Sequence, residues 1–261
     1  MKKRWKIVII LASLLLLTIS LTTIRNQEKK LKFKSCNIDI ANNDEYVFIE
    51  KEDILAILYA RQDTYKDSKL DSLKIALIES DINKHPSVKS SQVYYTIDGT
   101  LQIKVKQRTP IVRIISENGD GYYIDIEGMI MPLSAKYNAR VPLANGNINA
   151  AYRLKYNISN RDSIPKAYRT VSEVYQLAKL IYDDTFFAPL VEQIYVTDDN
   201  KMILTPKIGP KEIELGTIEG IEYKLEKIKI FYEKGFKIKG YDIYKRLNVE
   251  YSNQVLATRI E

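Results

Sequence analysis

The sequence predicts an α+β protein with three parts: a single N-terminal transmembrane helix, a small β-α-α-β-β unit, and a mostly antiparallel β unit with two flanking helices. Residues 7–24 form an uncharged apolar run, which indicates the membrane helix. In residues 35–106 the spacing of apolar residues changes from the two-residue period of a strand to the helical period and back. Beyond residue 110, short alternating runs are separated by turn residues, which is typical of an antiparallel sheet.

The composition excludes several classes of protein. The 261 residues include one cysteine and one histidine, which excludes an internal disulfide, CxxC-type sites and His-rich metal sites. The net charge is +7, but residues 1–34 hold nine basic side chains and one acidic one, so the rest of the chain is nearly neutral. Because phosphate binding needs a concentrated basic surface, we expect no nucleic-acid partner. The sequence shows no phosphate-binding glycine loop and no nucleophile–base pair, so it predicts no enzyme and no cofactor.

The N-terminal segment predicts an uncleaved membrane anchor. The uncharged run at 7–24 nearly crosses a hydrocarbon core of roughly 30 Å, and Trp5 precedes it at headgroup level. The alternative is a cleaved signal peptide, but its apolar region is usually shorter and no small-x-small cleavage site precedes Arg25. Basic residues flank both ends of the run, so charge alone does not fix the orientation of the helix in the membrane. The long C-terminal part can cross the membrane regardless of its charge, whereas the short basic N-terminus tends to stay inside. We expect residues 1–6 to be a cytoplasmic stub and 25–34 a basic linker that leads to periplasmic or extracellular domains.

The first folded unit begins with one strand and two helices. Ser35–Ile40 alternates Cys36, Ile38 and Ile40 on one face, which predicts a strand with a core-facing cysteine. Apolar residues at helical spacing then predict helices over Glu50–Ala60 and Leu70–Lys84. The second helix should end at His85-Pro86, since a residue before proline is pushed out of the helical region.

A β-hairpin completes this unit. Val93–Ile97 and Leu101–Lys106 alternate apolar and polar residues on either side of Asp98-Gly99. An Asp-Gly pair between such runs predicts a two-residue hairpin with a type I′ turn. The resulting sheet would leave strand edges open, and the candidates for docking are Val93–Ile97 and Ser35–Ile40.

This β-α-α-β-β order directly after a membrane anchor resembles a POTRA domain. The run from Asp81 to Val93 resembles the P-x-V-x-x-x-x-V segment of the FtsQ/DivIB cell-division family. Gln107-Arg108-Thr109-Pro110 resembles that family's E-R-x-P exit from the domain, with Gln107 in place of the usual Glu. The resemblance implies a POTRA domain at 35–110 and an FtsQ-type β domain at 111–261.

The second unit opens with a hairpin that carries further family motifs. The run from Tyr122 to Pro132 is similar to the family's (V/L)D-x-x-G-x-x-(M/F) hairpin, and Val141–Gly146 to its (L/V)P-x-x-x-G step. Asp125 and Gly128 flank the turn, where a side-chain acceptor and a free φ are useful. Asp125 and Glu127 could be taken for paired catalytic carboxylates, but positions i and i+2 in a turn need not converge on one bond.

Helices and strands then alternate towards the C-terminus. An amphipathic helix is predicted at Pro165–Tyr182, with Ala167 on its apolar stripe, and a second helix runs from Ile221 to Tyr232 and ends at Gly235. Between them, turn residues separate three strands of an antiparallel meander: Gln193–Thr197, Lys201–Thr205 and Lys211–Leu215. We expect the polar face of the second helix to be solvated; it consists of Glu222, Lys224, Glu226, Lys227 and Lys229.

The chain should end in one long strand, Arg246–Arg259. Leu247, Val249, Tyr251, Val255 and Ala257 alternate with polar residues along it. The stretch from Leu247 to Val255 is similar to the family's terminal (I/V)-D-(L/M)-R-Y-x-N-x-x-V strand, with Asn248 and Glu250 in place of Asp and Arg. The resemblance implies that this strand pairs with an FtsB-type partner. The candidate partner-binding residues are Glu250, Tyr251, Ser252, Asn253, Gln254 and Val255. The alternative is that Tyr251 is a core residue of the sheet.

Taken together, the motifs resemble those of a cell-division scaffold. Membership of the FtsQ/DivIB family implies a non-enzymatic, single-pass protein of the cell inner membrane and division septum. It would hold FtsB/FtsL-type partners at the C-terminal strand, meet other divisome membrane proteins through its POTRA domain or membrane helix, and help couple septum assembly to peptidoglycan synthesis. Two alternatives are a POTRA-containing component of protein transport or insertion, and a membrane-tethered hydrolase.

Overall fold

A computed structural model of the chain describes most of the two predicted folded units and part of the N-terminal segment. The described residues are 5, 11–20, 35–41, 47–60, 72–153, 156–236, 240–241 and 243–260. Residues 11–20 of the predicted membrane span are helical and exposed, whereas the remainder of that span and the predicted linker at 25–34 lie outside the described residues. No helix within the described ranges has both the length and the hydropathy needed to cross a membrane.

The chain divides after Gln107 into two units. In the first unit the described residues form a three-stranded sheet in the order β1-β3-β2, in which β1 is parallel to β3 and β2 is antiparallel to it. Among the described residues of this unit, neither outer strand pairs on its far side, in agreement with the open edges that the sequence predicted. The elements are β1 (Ser35–Ala41), α1 (Lys51–Tyr59), α2 (Ser72–Asn83), β2 (Val88–Tyr95) and β3 (Thr100–Gln107).

Alternation and helical spacing correctly identified the core of this unit. Every second residue of the central strand β3 is buried, and Ile54 and Ile82 of the two helices are fully covered. Cys36 is half-buried against the same core, and burial raises the pKa of its thiol. Gln107, which replaces the family's usual Glu, is also buried, and its Oε1 accepts hydrogen bonds from the backbone N–H groups of Phe48 and Ile49 at 2.8 and 3.1 Å. The buried amide oxygen of Gln107 thus joins the end of β3 to the segment that precedes α1.

The β2–β3 hairpin exists, but its turn is not the predicted two-residue type I′ turn. Of the turn residues only Gly99 has a positive φ, +87°, whereas type I′ geometry needs two. The backbone N–H of Thr96 donates to the Thr100 oxygen at 3.0 Å, and that of Gly99 donates to the Thr96 oxygen at 3.0 Å, which makes the turn wider. Asp98 stabilises it by accepting from the hydroxyls of Thr96 and Thr100. Ile97 lies at the exposed tip, outside the strand predicted for it.

In the second unit the described residues form a sheet of nine strands in the order β12-β11-β10-β9-β8-β7-β4-β5-β6. Most neighbouring pairs are antiparallel, but β7 is parallel to both β4 and β8, and β11 is parallel to β10. The strands are β4 (Pro110–Ile115), β5 (Gly121–Asp125), β6 (Ile130–Pro132), β7 (Leu143–Gly146), β8 (Val191–Val196), β9 (Met202–Pro206), β10 (Glu212–Gly216), β11 (Tyr244–Asn248) and β12 (Leu256–Arg259). The helices are α3 (Arg169–Asp183), α4 (Phe187–Leu190) and α5 (Ile221–Ile230).

The hairpin between β5 and β6 shows why its motif contains Asp and Gly. Asp125 is 1% exposed, and its Oδ1 accepts hydrogen bonds from the backbone N–H groups of Glu127 and Met129 at 2.9 and 2.7 Å. Its Oδ2 accepts from Arg108 Nη1 at 2.8 Å. Gly128 adopts a φ of +80°, which a side chain would strain. The Asp125 carboxylate therefore joins two of the motifs that carried the family resemblance.

Two details of the predicted helices are wrong. Ala167 is exposed and lies in a 3₁₀ turn that precedes α3, because the helix itself begins at Arg169. Gly235 does not end α5 in a left-handed conformation, since a π-helical turn carries the chain from Phe231 through Gly235. A Cβ at Gly235 would lie 3.2 Å from the Phe231 ring, so close packing of that ring is what favours glycine there.

Candidate partner-binding site

The predicted C-terminal strand is two strands joined by a turn. β11 ends at Asn248, and β12 begins at Leu256 and runs antiparallel to it. Residues 249–255, here called the β11–β12 connection, reverse the chain because Asn253 adopts a left-handed φ of +59° that a strand cannot accommodate. The prediction of one continuous strand over Arg246–Arg259 was therefore wrong. Leu247 and Val249, the first two apolar residues of the alternating pattern, are buried in the core, whereas Tyr251 and Ala257 of the same pattern are exposed.

β12 is one of the two outer strands of this sheet, and β6 is the other. β12 pairs with β11 on one side, and within the described part of the chain no strand pairs with its other side. All four of its side chains are exposed, and Leu256 and the adjacent Ile260 are each about half exposed. Unpaired backbone N–H and C=O groups at such an edge are templates for an added strand. The resemblance implied pairing with a partner at the residues around Tyr251, whereas the open edge in the described structure lies on β12, a few residues further along the chain.

The six predicted partner-binding residues lie in the β11–β12 connection beside this edge. Tyr251 is 51% exposed, so the alternative that it belongs to the core is wrong. Ser252 and Gln254 are also exposed, whereas Val255 is half-buried and packs against the core. Glu250 forms an ion pair with Lys201 at 3.2 Å. The structure thus gathers these residues in one turn and exposes most of them.

The two departures from the motif, Asn248 and Glu250, each form a local polar contact, and that of Glu250 is the ion pair with Lys201. Asn248, in place of Asp, donates from Nδ2 to Glu214 Oε2 at 2.6 Å. Arg246 forms ion pairs with Glu212 and Glu214 at 3.0 and 3.2 Å, so polar contacts cross from β11 to β10 on the same stretch of sheet. These cross-strand contacts match the parallel register in which Glu212 lies opposite Arg246 and Glu214 opposite Asn248.

Helix α5 supports the connection from the other side. Lys227 donates from Nζ to the backbone oxygens of Val249, Tyr251 and Gln254, and the Tyr223 hydroxyl donates to Asn253 Oδ1 at 3.0 Å. A surface groove of about 270 Å³ lies between the helix and the connection. Its lining includes Tyr223, Lys227, Ile230, Phe231, Lys234 and Val255.

Two lysines on α5 were assigned to a solvated face, and this prediction was wrong. Lys224 and Lys227 are 8% and 7% exposed. Lys224 donates from Nζ to the Thr217 oxygen at 2.8 Å. Burial lowers the pKa of both ammonium groups, and Lys224 lowers the pKa of Lys227 further. A signal was available in the sequence, since Lys224 follows Ile221 by three positions and precedes Ile228 by four, which places it on the apolar stripe.

The described residues contain no cluster of three or more His, Cys, Asp or Glu side chains that could hold a metal ion. Among the described residues, this end of the sheet combines an open strand edge, an exposed tyrosine and an adjacent groove.

Comparison with known proteins identifies the family. Residues 109–258, more than half of the chain, match the family model described as FtsQ/DivIB, C-terminal related. The chain belongs to the FtsQ/DivIB family. Residues 32–106 match the model of a POTRA-like domain. Both findings confirm the resemblance that the sequence motifs carried, and they indicate a role in cell division.

A curated relative supports this assignment. The cell division protein FtsQ of Rhodothermus marinus (strain ATCC 43812 / DSM 4252 / R-10) is 24% identical to the chain over 190 residues. The match covers 72% of this chain and 66% of the relative, so the chain spans about two thirds of that protein's length.

Proposed function

We propose that this FtsQ/DivIB family member is a non-enzymatic divisome scaffold that binds an FtsB/FtsL-type partner by β-strand addition to β12. The observation that carries the proposal is the open outer edge of β12, with exposed side chains along its whole length. Strand addition gains affinity from main-chain hydrogen bonds, and specificity from side chains that alternate between the two faces.

The exposed apolar side chains around β12 suit this mode of binding. Tyr251, Leu256 and Ile260 are each about half exposed and lie before, on and after the edge strand. Tyrosine combines a large apolar area with a hydroxyl and is enriched among residues that dominate binding energy. We therefore propose Tyr251 as the side-chain anchor, and the other five candidate residues of Glu250–Val255 as its surroundings.

The remaining parts of the chain fit a membrane-bound scaffold. We propose that residues 7–24 anchor the protein in the inner membrane, with the N-terminus in the cytoplasm. Residues 25–34 would then link this anchor to the two domains on the periplasmic or extracellular side. Among the described residues the POTRA-like unit has two open edges, β1 and β2, that suit contacts with other divisome membrane proteins. We further propose that the protein is located at the septum and helps couple septum assembly to peptidoglycan synthesis.

The proposal is tested by separating binding from folding. Tyr251→Ala should leave the melting temperature of the full-length protein unchanged, because half of the side chain is already exposed, and should weaken capture of the host's FtsB-type protein by about tenfold or more. Tyr195→Ala is the matched control, since Tyr195 is a 41% exposed tyrosine on β8 of the same sheet. Deletion of residues 251–261 should abolish capture.

A cell-based experiment tests the biological role. A fluorescent fusion should localise to the septum, depletion should cause filamentation, and the deletion variant should fail to rescue the depleted cells. Normal partner capture by a stably folded protein that lacks residues 251–261 would refute the binding site. Uniform membrane localisation with normal division would refute the divisome role.

A further inference from the structure

Lys227 occupies an unusual environment for a lysine. Its side chain is 7% exposed, and among the residues that the structure describes it has no carboxylate partner within ion-pairing distance. Lysine is almost never fully buried unless its charge is compensated. Here the compensation comes from backbone oxygens of Val249, Tyr251 and Gln254, which lie 2.5, 2.6 and 3.4 Å from Nζ.

All three acceptors belong to the β11–β12 connection. A lysine ammonium has three N–H donors and no acceptor, so this one segment uses its whole hydrogen-bonding capacity. The Nζ atom also lies 5.2 Å from the centre of the Tyr223 ring, and the Tyr223 hydroxyl binds the Asn253 side chain. Two side chains one helical turn apart on α5 therefore hold the connection from Val249 to Gln254.

β12, the strand that follows this connection, makes few other contacts that hold it against the domain. β12 pairs with β11 on one side only, and its four side chains are exposed, so no buried side chain of its own anchors it to the core. Within the connection, Val249 is buried in the core, Val255 packs partly against it, and Glu250 pairs with Lys201. The segment from Tyr251 to Gln254, which leads into β12, is held by the contacts with α5. Order along the β12 edge therefore depends on the backbone pairing with β11 and, through this segment, on α5.

We propose that Lys227 is a positioning residue that holds the β11–β12 connection in the conformation that presents the β12 edge for strand addition. The inference rests on the proposed function, because it assumes that the partner pairs with β12. Without the ammonium, three partly or fully buried carbonyl oxygens lose their donor, and the connection opens to reach water. The fraction of molecules with an ordered edge then falls, and the apparent affinity for a partner strand falls in proportion.

The first test needs no partner. Amide hydrogen exchange of residues 251–258 is measured in the full-length, detergent-solubilised protein and in its Lys227→Met variant. We expect exchange in this segment to be at least about tenfold faster in the variant, with exchange in β4 and β5 unchanged. Lys224→Met is the matched control, since Lys224 is equally buried on the same helix but donates to Thr217 outside the connection. It should leave exchange at 251–258 as in the wild type.

Binding to the host's purified FtsB-type protein is then measured for the same set. Lys227→Met should weaken binding by about tenfold, mainly through faster dissociation, while Lys224→Met should bind normally. If Lys227→Met fails to fold, Lys227→Gln provides the second variant, because its amide can still donate to one of the three oxygens. We expect it to show an intermediate exchange rate and intermediate affinity.

The outcomes separate this inference from the proposed function. Unchanged exchange at 251–258 in folded Lys227 variants would overturn the positioning role, whatever the partner does. Faster exchange with wild-type affinity would overturn the link between this connection and binding. Wild-type protein that does not bind the FtsB-type partner at all would refute the proposed function itself, and with it the role of Lys227 in that binding.

Discussion

Replacing Asp125 by alanine should strongly destabilise the second unit, because this carboxylate is the centre of a buried polar network. It is 1% exposed and accepts hydrogen bonds from two backbone N–H groups and from Arg108, whose side chain is 15% exposed. Removing one partner of a buried ion pair typically costs about 3–5 kcal/mol, since the remaining charge keeps its desolvation penalty. Here the two N–H groups lose their acceptor as well, which places the expected loss at about 4 kcal/mol.

Two further variants divide this loss between charge and hydrogen bonding. Asp125→Asn retains an oxygen for the two backbone N–H groups, but its amide nitrogen then faces Arg108 and cannot accept a hydrogen bond. It therefore loses the charge and the contact with Arg108 but keeps the backbone contacts, so we expect about 1–3 kcal/mol. Glu127→Gln is the matched control, because Glu127 is 45% exposed and lies 3.7 Å from the same arginine. Such an exposed ion pair should contribute less than about 1 kcal/mol.

Urea unfolding of the full-length protein, followed by circular dichroism and by hydrogen exchange of peptides from the second unit, measures these losses. A loss of about 4 kcal/mol corresponds to a melting temperature lower by roughly 8–16 °C for a domain of this size. The reasoning would be refuted if Asp125→Ala were no more destabilising than Glu127→Gln. It would also be refuted if a double-mutant cycle with Arg108→Met showed no coupling between the two positions.

Three further predictions concern a glycine in close contact with backbone, a carboxylate whose pKa is lowered, and a buried amide. Gly146→Ala should prevent folding or cost more than about 3 kcal/mol, since its Cβ would lie 2.1 Å from a backbone oxygen, whereas Gly119→Ala, with similar φ and open space, should cost only about 1 kcal/mol in urea unfolding. Burial alone would raise the pKa of the Asp184 carboxyl. Hydrogen bonds from Lys229 and from two backbone N–H groups outweigh this effect and lower the pKa below its usual value. Its stabilisation is therefore present above about pH 4 and lost as the pH falls below that, so the stability of Asp184→Asn should decline less between about pH 5 and 2. Gln107→Leu should destabilise the first unit alone by about 1–3 kcal/mol, which exchange in its peptides would detect.

Local patterns in the sequence were sufficient to predict most of the elements. Alternation identified β1, β3 and the meander from β8 to β10, because the side chains of a strand alternate between a buried and an exposed face. Helical spacing identified α1, α2 and α5 to within one or two residues. The order of short motifs was enough to indicate the FtsQ/DivIB family, which is confirmed, whereas the binding site at the C-terminal end of the domain stays a prediction.

Properties that depend on contacts between distant residues needed the tertiary structure. The alternating residues from Leu247 to Ala257 are compatible with one long strand, and that pattern outweighs the local turn signal of Ser252-Asn253, although asparagine tolerates the left-handed φ found there. That turn is held by Lys227, which lies on another element more than twenty positions earlier, and the sequence pattern assigned this lysine to water. A charged side chain on a helix is normally solvated, and only the backbone oxygens that approach it from elsewhere in the fold make its burial favourable. The sequence determined that strand-forming residues lie at the C-terminal end of the domain, whereas tertiary packing decided that two strands form there, that β12 is at the edge of the described sheet, and what holds it in place.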